Sequence, residues 1–147
     1  MNELGMRIAH HKRRGEWAEL RFLERAAEQG LCVSKPWGDS SHYDFVVETA
    51  DRLSRIQVKS TWSFWRGAYI IRLHQGKRVA YPAGAFDLVA AYLIPLDAWY
   101  IIPEQTVQCK ITLQLYPDSK RSKFIPYREA WTLLTGGGPQ ENCERNP

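Results

Sequence analysis

Three side chains on two short strand-like runs have the types and spacing to act together on a phosphodiester. Asp44 stands at the mouth of Phe45-Val46-Val47, while Gln57 and Lys59 belong to the run Ile56-Gln57-Val58 and its end. From Arg55 to Ser60 apolar residues alternate with long polar ones, which is the period of a half-buried strand. Pleating sends Ile56 and Val58 to one face and Arg55, Gln57 and Lys59 to the other. Burial alone gives no reason to set an amide and an ammonium beside an aspartate, whereas metal-dependent phosphodiester hydrolysis does. That reaction needs an activated water, neutralisation of a pentacovalent phosphate and a stabilised leaving oxygen. Asp44 suits a hard divalent cation such as Mg²⁺, or Mn²⁺ in its place. Lys59 can orient or help deprotonate the attacking water, or balance phosphate charge. The Gln57 amide oxygen can meet a metal or a water, but it brings no negative charge and cannot act as a general base.

Glu19 lies in the segment from about Lys12 to Gln29, rich in Ala, Leu, Glu and Arg, which reads as a helix. Trp17, Leu20, Leu23 and Ala27 recur at helical spacing as its expected apolar stripe. Gly30 stands where a C-terminal glycine cap is expected. Glu19, four residues before Leu23, shares part of the inward side. Glu16, Glu24 and Glu28 read as ordinary exposed or helix-end acids, and a surface ion pair is the plain alternative for Glu19 as well.

The stretch Tyr43–Thr61, YDFVVETADRLSRIQVKST, resembles the core motif of the PD-(D/E)XK nuclease superfamily. The longer stretch Pro36–Thr61, with the glycine-glutamate helix before it, resembles a bacterial group of that superfamily associated with group I introns. Gly15-x-x-x-Glu19 is also similar to the first motif of Holliday-junction resolvases. The resemblance implies a restriction-endonuclease-like core and a catalytic set of Glu19, Asp44, Gln57 and Lys59. It implies metal ligation by Asp44, Glu19 and Val58. It further implies a Mg²⁺-dependent endonuclease on double-stranded DNA, similar to intron-associated homing endonucleases. One small domain carries one active site, so cutting both strands calls for a homodimer, and a long target favours a homotetramer. The alternatives are a structure-specific, junction-type nuclease and a nuclease-like module that binds DNA without cutting it.

Charge distribution fits a polyanion partner. The net charge is +4, with basic groups at Arg7, Lys12, Arg13 and Arg14, at Arg66, Arg72, Lys77 and Arg78, and at Lys120, Arg121, Lys123 and Arg128. Solvation of ordinary loops accounts for part of this clustering. Ser40, His42 and Ser60 are added as candidate DNA contacts. For His42 a polar loop role near DNA is favoured over a general base, and Asp39 reads as an Asx turn. Trp62, Phe64, Trp65 and Arg66 could stack on bases, although core packing claims most tryptophans.

The remaining pattern is that of one α/β domain over residues 1–135, followed by a tail from 136 to 147. A chain of 147 residues is long enough for a true core. We expect a mixed sheet of five to seven strands flanked by the N-terminal helix and by a C-terminal helix over Tyr127–Leu134. Strands are expected at Leu31–Ser34, Ala68–Leu73, Phe86–Leu93, Trp99–Ile102 and Val107–Leu115. No run approaches the length of a membrane span, and the N-terminus lacks an apolar signal core. Cys32, Cys109 and Cys143 are widely spaced, so a disulfide framework or zinc site is not expected and a reducing cytoplasm fits.

Overall fold

The computed structural model describes residues 3 and 5–136; the expected tail, apart from Gly136, lies outside them. The first helix, α1, spans His11–Glu28. Gly30 ends it in the left-handed region at φ 72°, as expected. The Gly30 N–H donates to the Ala27 carbonyl and the Leu31 N–H to that of Ala26, both at 2.9 Å, the paired bonds of a Schellman cap.

The buried row of α1 is Ala18, Phe22 and Ala26, not the expected stripe. Trp17 and Leu23 are half-buried, Ala27 is exposed, and Leu20 is 64% exposed. The physical reason is shape. Two alanines four residues to either side of Phe22 let the helix lie close to the sheet while one large ring fills the gap. Phe22 meets Phe45 at 5.3 Å and both Trp99 and Trp131 at 5.8 Å between ring centroids.

After α1 come β1 (Cys32–Ser34), β2 (Phe45–Glu48) and β3 (Leu53–Thr61), which pair antiparallel in that order. The Thr49 N–H closes the β2–β3 turn on the Arg52 carbonyl at 2.9 Å. The chain then forms β4 (Phe64–Trp65) and β5 (Ala68–Arg72) before returning as β6 (Leu88–Leu93), parallel to β3. β7 (Ala98–Pro103) pairs antiparallel with β6 and completes the order β1-β2-β3-β6-β7. A one-turn helix α2 (Glu104–Val107) leads to β8 (Thr112–Leu115), which joins β4 and β5 in a separate three-stranded sheet. The expected mixed sheet of five to seven strands has five, and a three-stranded sheet lies beside it. The crossover between parallel β3 and β6 is made by the β4–β5 hairpin and its following loop. One core lies between α1 and the large sheet, with Ile56, Val58, Ala90, Tyr92, Trp99 and Ile101 inside it. The other lies between the two sheets, with Val89, Ala91, Tyr100 and Ile102 facing Ile71, Leu113 and Leu115.

Two further expectations are corrected. Val107–Leu115 is not one strand: Val107 closes α2, and Cys109 at φ 61° breaks the extended path before β8. Tyr127–Leu134 is not one helix but a 3-10 turn at Ile125–Tyr127 and a single α-turn, α3, at Thr132–Thr135. Glu129 at φ 50° interrupts it because it is tied to β7 and to Trp131. Its N–H donates to the Trp99 carbonyl at 2.8 Å, and its carboxylate accepts from the Trp99 N–H at 2.8 Å and the Trp131 Nε1–H at 2.7 Å. Trp131 and Leu134 still cover the α1 side of the core, so a C-terminal helical element flanks the sheet there as expected. Cys109 is free and exposed. Among the described residues no helix is long and apolar enough to cross a membrane.

Asp97, in the turn between β6 and β7, fastens α1 to the sheet. Its two carboxylate oxygens accept from Arg21 at 3.0 Å and Arg25 at 3.1 Å, and the Tyr92 hydroxyl donates to it at 2.6 Å. Burial works to raise the Asp97 carboxyl, but the bonds from Tyr92 and Arg21 and the two guanidinium charges hold it below the usual range. Burial, with the neighbouring carboxylate, pushes the Tyr92 hydroxyl up to about 12. A carboxyl lowered on folding adds stability above its unfolded value and loses it as pH falls through the folded value. Asp97→Asn keeps the left-handed turn (φ 47°) tolerable but removes the charge. It should cost about 2 kcal/mol at neutral pH. Its deficit relative to wild type should shrink below about pH 4. Urea denaturation at both pH values checks this, and an equal deficit at both would refute the charge argument.

Candidate active site

The β2 ladder on β3 stops at Phe45 opposite Ile56, while β3 continues to Thr61. Beyond that point the β2-facing backbone of β3 has no strand beside it, and buried N–H and C=O groups require other partners. Asp44 supplies one. Its own N–H donates to the Ile56 carbonyl at 2.8 Å, and its side-chain Oδ2 accepts the Val58 N–H at 2.7 Å. The Gln57 Nε2–H₂ donates to the same Oδ2 at 2.8 Å and to the Val58 carbonyl at 3.2 Å. Side chains therefore complete the ladder where the strand ends.

The other site residues converge on this notch from both faces of the sheet. Val58 points into the α1 core, and α1 brings Glu19 from that side, near enough for its charge to act on Asp44. Gln57 and Lys59 lie on the opposite face, where the Lys59 ammonium sits 5.2 Å from the Tyr81 ring centroid. Lys59 also acts electrostatically on Asp44. Burial is the largest influence on the Asp44 carboxyl and raises it. The Val58 N–H opposes this, Glu19 adds to it, and Lys59 and Lys35 oppose it, leaving Asp44 above the ordinary range.

Two neighbours had no sequence motif to announce them. Lys35, immediately after β1, holds the Glu19 carboxylate at 2.6 Å and also acts on Asp44. Tyr81 stacks edge-on against His42 at 6.0 Å and so links the loop before β2 to Lys59. A lysine at a strand end and a tyrosine in a loop carry no spacing signal. The other helix acids behave as expected: Glu24 pairs with Arg21 and Glu28 with Arg25.

The candidate DNA contacts are dispersed. Lys12 and Arg13 are exposed on the first turn of α1, but Arg14 is half-buried. Arg14 donates to the Ile8 carbonyl at 3.2 Å and lies 3.9 Å over the Trp62 ring. Ser40 and His42 are exposed in the loop leading to Asp44, and Ser60 is half-buried beside Lys59. Arg66 forms the tip of the β4–β5 hairpin at φ 48° and stacks on Trp65 at 4.3 Å. Arg72 is exposed at the end of β5, Lys77 and Arg78 in the loop beyond it, and Lys120, Arg121 and Lys123 in the loop before the 3-10 turn at Ile125–Tyr127. Phe64 and Trp65 are largely exposed, so core packing does not claim them.

Among the described residues no three His, Cys, Asp or Glu side chains gather as a metal cluster. The donor set here is of another kind: the Asp44 carboxylate and the Val58 carbonyl converge on one point, with Gln57 beside them and the Glu19 carboxylate close by. All can offer hard oxygens, the chemistry that suits Mg²⁺ or Mn²⁺.

A mixed sheet whose short second strand leaves an aspartate against a Q-x-K strand defines a class of nuclease core, and residues 9–134 match the PD-(D/E)XK endonuclease family. The chain belongs to that family. Among solved structures it is similar to the bacterial homing endonuclease I-Ssp6803I, with 30% sequence identity and a TM-score of 0.69 over 84% of this chain and 90% of that one. No curated protein matches the chain.

A carboxyl raised on folding binds its proton more readily in the folded state, so ionising it costs stability as pH rises from the ordinary to the raised value. Asp44→Asn keeps an oxygen for the Val58 and Gln57 donors and removes that cost. It should be at least as stable as wild type near pH 8, with a flatter stability profile down to about pH 4. Thermal and urea unfolding decide this; a loss above about 1 kcal/mol would mean the charge itself holds the notch together.

Proposed function

We propose that the protein is a Mg²⁺-dependent endonuclease acting on double-stranded DNA, with Mn²⁺ able to replace Mg²⁺. The observation that carries this reading is the convergence of Asp44, the Val58 carbonyl and Gln57 at the open edge of β3, with Lys59 on the same strand and Glu19 beside Asp44. Asp44, Glu19 and Val58 would hold the cation, which when bound supplies Lewis acidity at the scissile phosphate and an acidified water. Lys59 would place its ammonium at the attacking water or at a phosphate oxygen, where desolvation strengthens its field. Gln57 would offer its amide oxygen to the cation or to a water. Lys35 would act as a positioning residue that keeps Glu19 turned to the site. Family membership and the likeness to a homing endonuclease support an intron-associated homing role, with a homodimer or homotetramer presenting one site to each strand. The basic groups at Lys12 and Arg13, at the Arg66 hairpin and at Lys120–Lys123 would contact the backbone.

The test is cleavage of plasmid, a random-duplex library and a four-way junction with Mg²⁺. Asp44→Asn, Glu19→Gln and Lys59→Met should each lower the rate by about 10²-fold or more while leaving DNA affinity within a few-fold. Preferred cutting of the junction regardless of sequence would replace the homing reading with a resolvase-like one. Sites cut equally well by Lys59→Met would remove Lys59 from catalysis. DNA binding without any cleavage would favour a non-catalytic module. Light scattering with and without DNA tests the oligomer, and a monomer in both states would count against it.

A further inference from the structure

Gln57 is 7% exposed, and its carboxamide sits between two groups that can only accept hydrogen bonds, a carboxylate oxygen and a main-chain carbonyl. Its nitrogen must therefore be the atom that faces them, since its oxygen has no proton to give. That nitrogen stands at the meeting point of the Asp44 and Val58 oxygens, which is where those two oxygens would hold a cation. Both cannot occupy it. We propose that Gln57 is the latch of the cation site. In the ion-free protein its NH₂ group ties the Asp44 carboxylate to the Val58 carbonyl. An ion enters only when the carboxamide turns over, breaking both bonds and presenting its oxygen. This rests on the metal site proposed above.

The latch accounts for an amide at a position where a carboxylate would bind the ion more strongly. A glutamate there would face the Asp44 carboxylate at hydrogen-bond distance with no proton between them. It would also leave the Val58 carbonyl without its donor, and a buried acceptor left unpaired is costly. The amide thus trades affinity for an ion-free state whose polar groups are satisfied. It also makes occupancy depend on a rotation that a phosphate arriving with its own oxygens can help to complete.

The experiment follows the side-chain amide of Gln57 by ¹⁵N–¹H NMR in the full-length protein, the resonance being identified by its absence in Gln57→Leu. Backbone amides of Asp44 and Val58 report ion binding independently. Titration with Mg²⁺ should move the Gln57 NH₂ resonances together with the Val58 amide. In calorimetry Gln57→Glu should bind Mg²⁺ about tenfold more tightly or better. Its melting temperature in EDTA should fall below that of wild type and recover with Mg²⁺. Gln57→Leu should also melt lower in EDTA, without the recovery. A Val58 amide that moves while the Gln57 NH₂ stays fixed would overturn the latch and leave the metal site standing. No shift and no binding heat in the wild type would overturn both. A Gln57→Glu protein as stable as wild type in EDTA would likewise overturn the latch.

Discussion

The constraint on which the rest depends is a backbone N–H. β3 outruns β2, and the Val58 amide and carbonyl at its continuing edge would be buried without partners if nothing replaced the missing strand. The Asp44 carboxylate takes the N–H, and the Gln57 carboxamide takes the carbonyl. The atoms that complete the ladder are thus also those of the proposed site. A sheet with two strands of equal length would satisfy this backbone by ordinary pairing and have no notch. The functional geometry is the price of a short β2, and the loop before it delivers Asp44 to the place where pairing fails.

Helix α1 must be set against this edge with its rotation fixed, because a turn of the helix by one residue would carry Glu19 away. Two features fix it. Phe22 seats in the aromatic cluster of Phe45, Trp99 and Trp131, and Phe45 is the residue next to Asp44. Arg21 and Arg25 bind both oxygens of Asp97 in the β6–β7 turn. One contact lies inside the core and the other at its rim, so the helix cannot roll about either alone. Glu19 is then left on the flank that faces Lys35 and Asp44.

The strand placement of the candidate site residues was more legible in the sequence than the packing around them. Period-two alternation from Arg55 to Ser60 put Gln57 and Lys59 on one face, and Gly30 marked the end of α1, because both signals are local. The row of α1 that faces the sheet was not legible: Leu20 and Ala27 are as apolar as their neighbours, and only the sheet's shape selects Ala18, Phe22 and Ala26. Strand periodicity extended Val107–Leu115 through Cys109, whose left-handed backbone no pattern of hydrophobicity reports. Glu129 broke the expected last helix through bonds to Trp99, thirty residues away in the chain. Lys35 and Tyr81 were missed for the same reason, since each acquires its role only through residues distant in sequence. Arg14, grouped with the basic cluster by proximity, also contacts Trp62 and the carbonyl of Ile8.

Charge at the notch explains why a neutral residue fits beside Asp44. Asp44 and Glu19 bring two negative charges, and Lys35 and Lys59 bring two positive ones, the last three all acting on the Asp44 carboxyl. The ion-free set is balanced, which lets a buried aspartate remain tolerable despite its desolvation. A glutamate at position 57 would tip the set to net negative, in a place already hostile to charge and to an approaching phosphate. With glutamine the balance holds, and a divalent cation bound as proposed would turn the site net positive where an anionic substrate must be held. Since charge that develops on a phosphate is stabilised best by a field already in place, the neutral amide would leave the whole charge of a cation bound as proposed for the substrate.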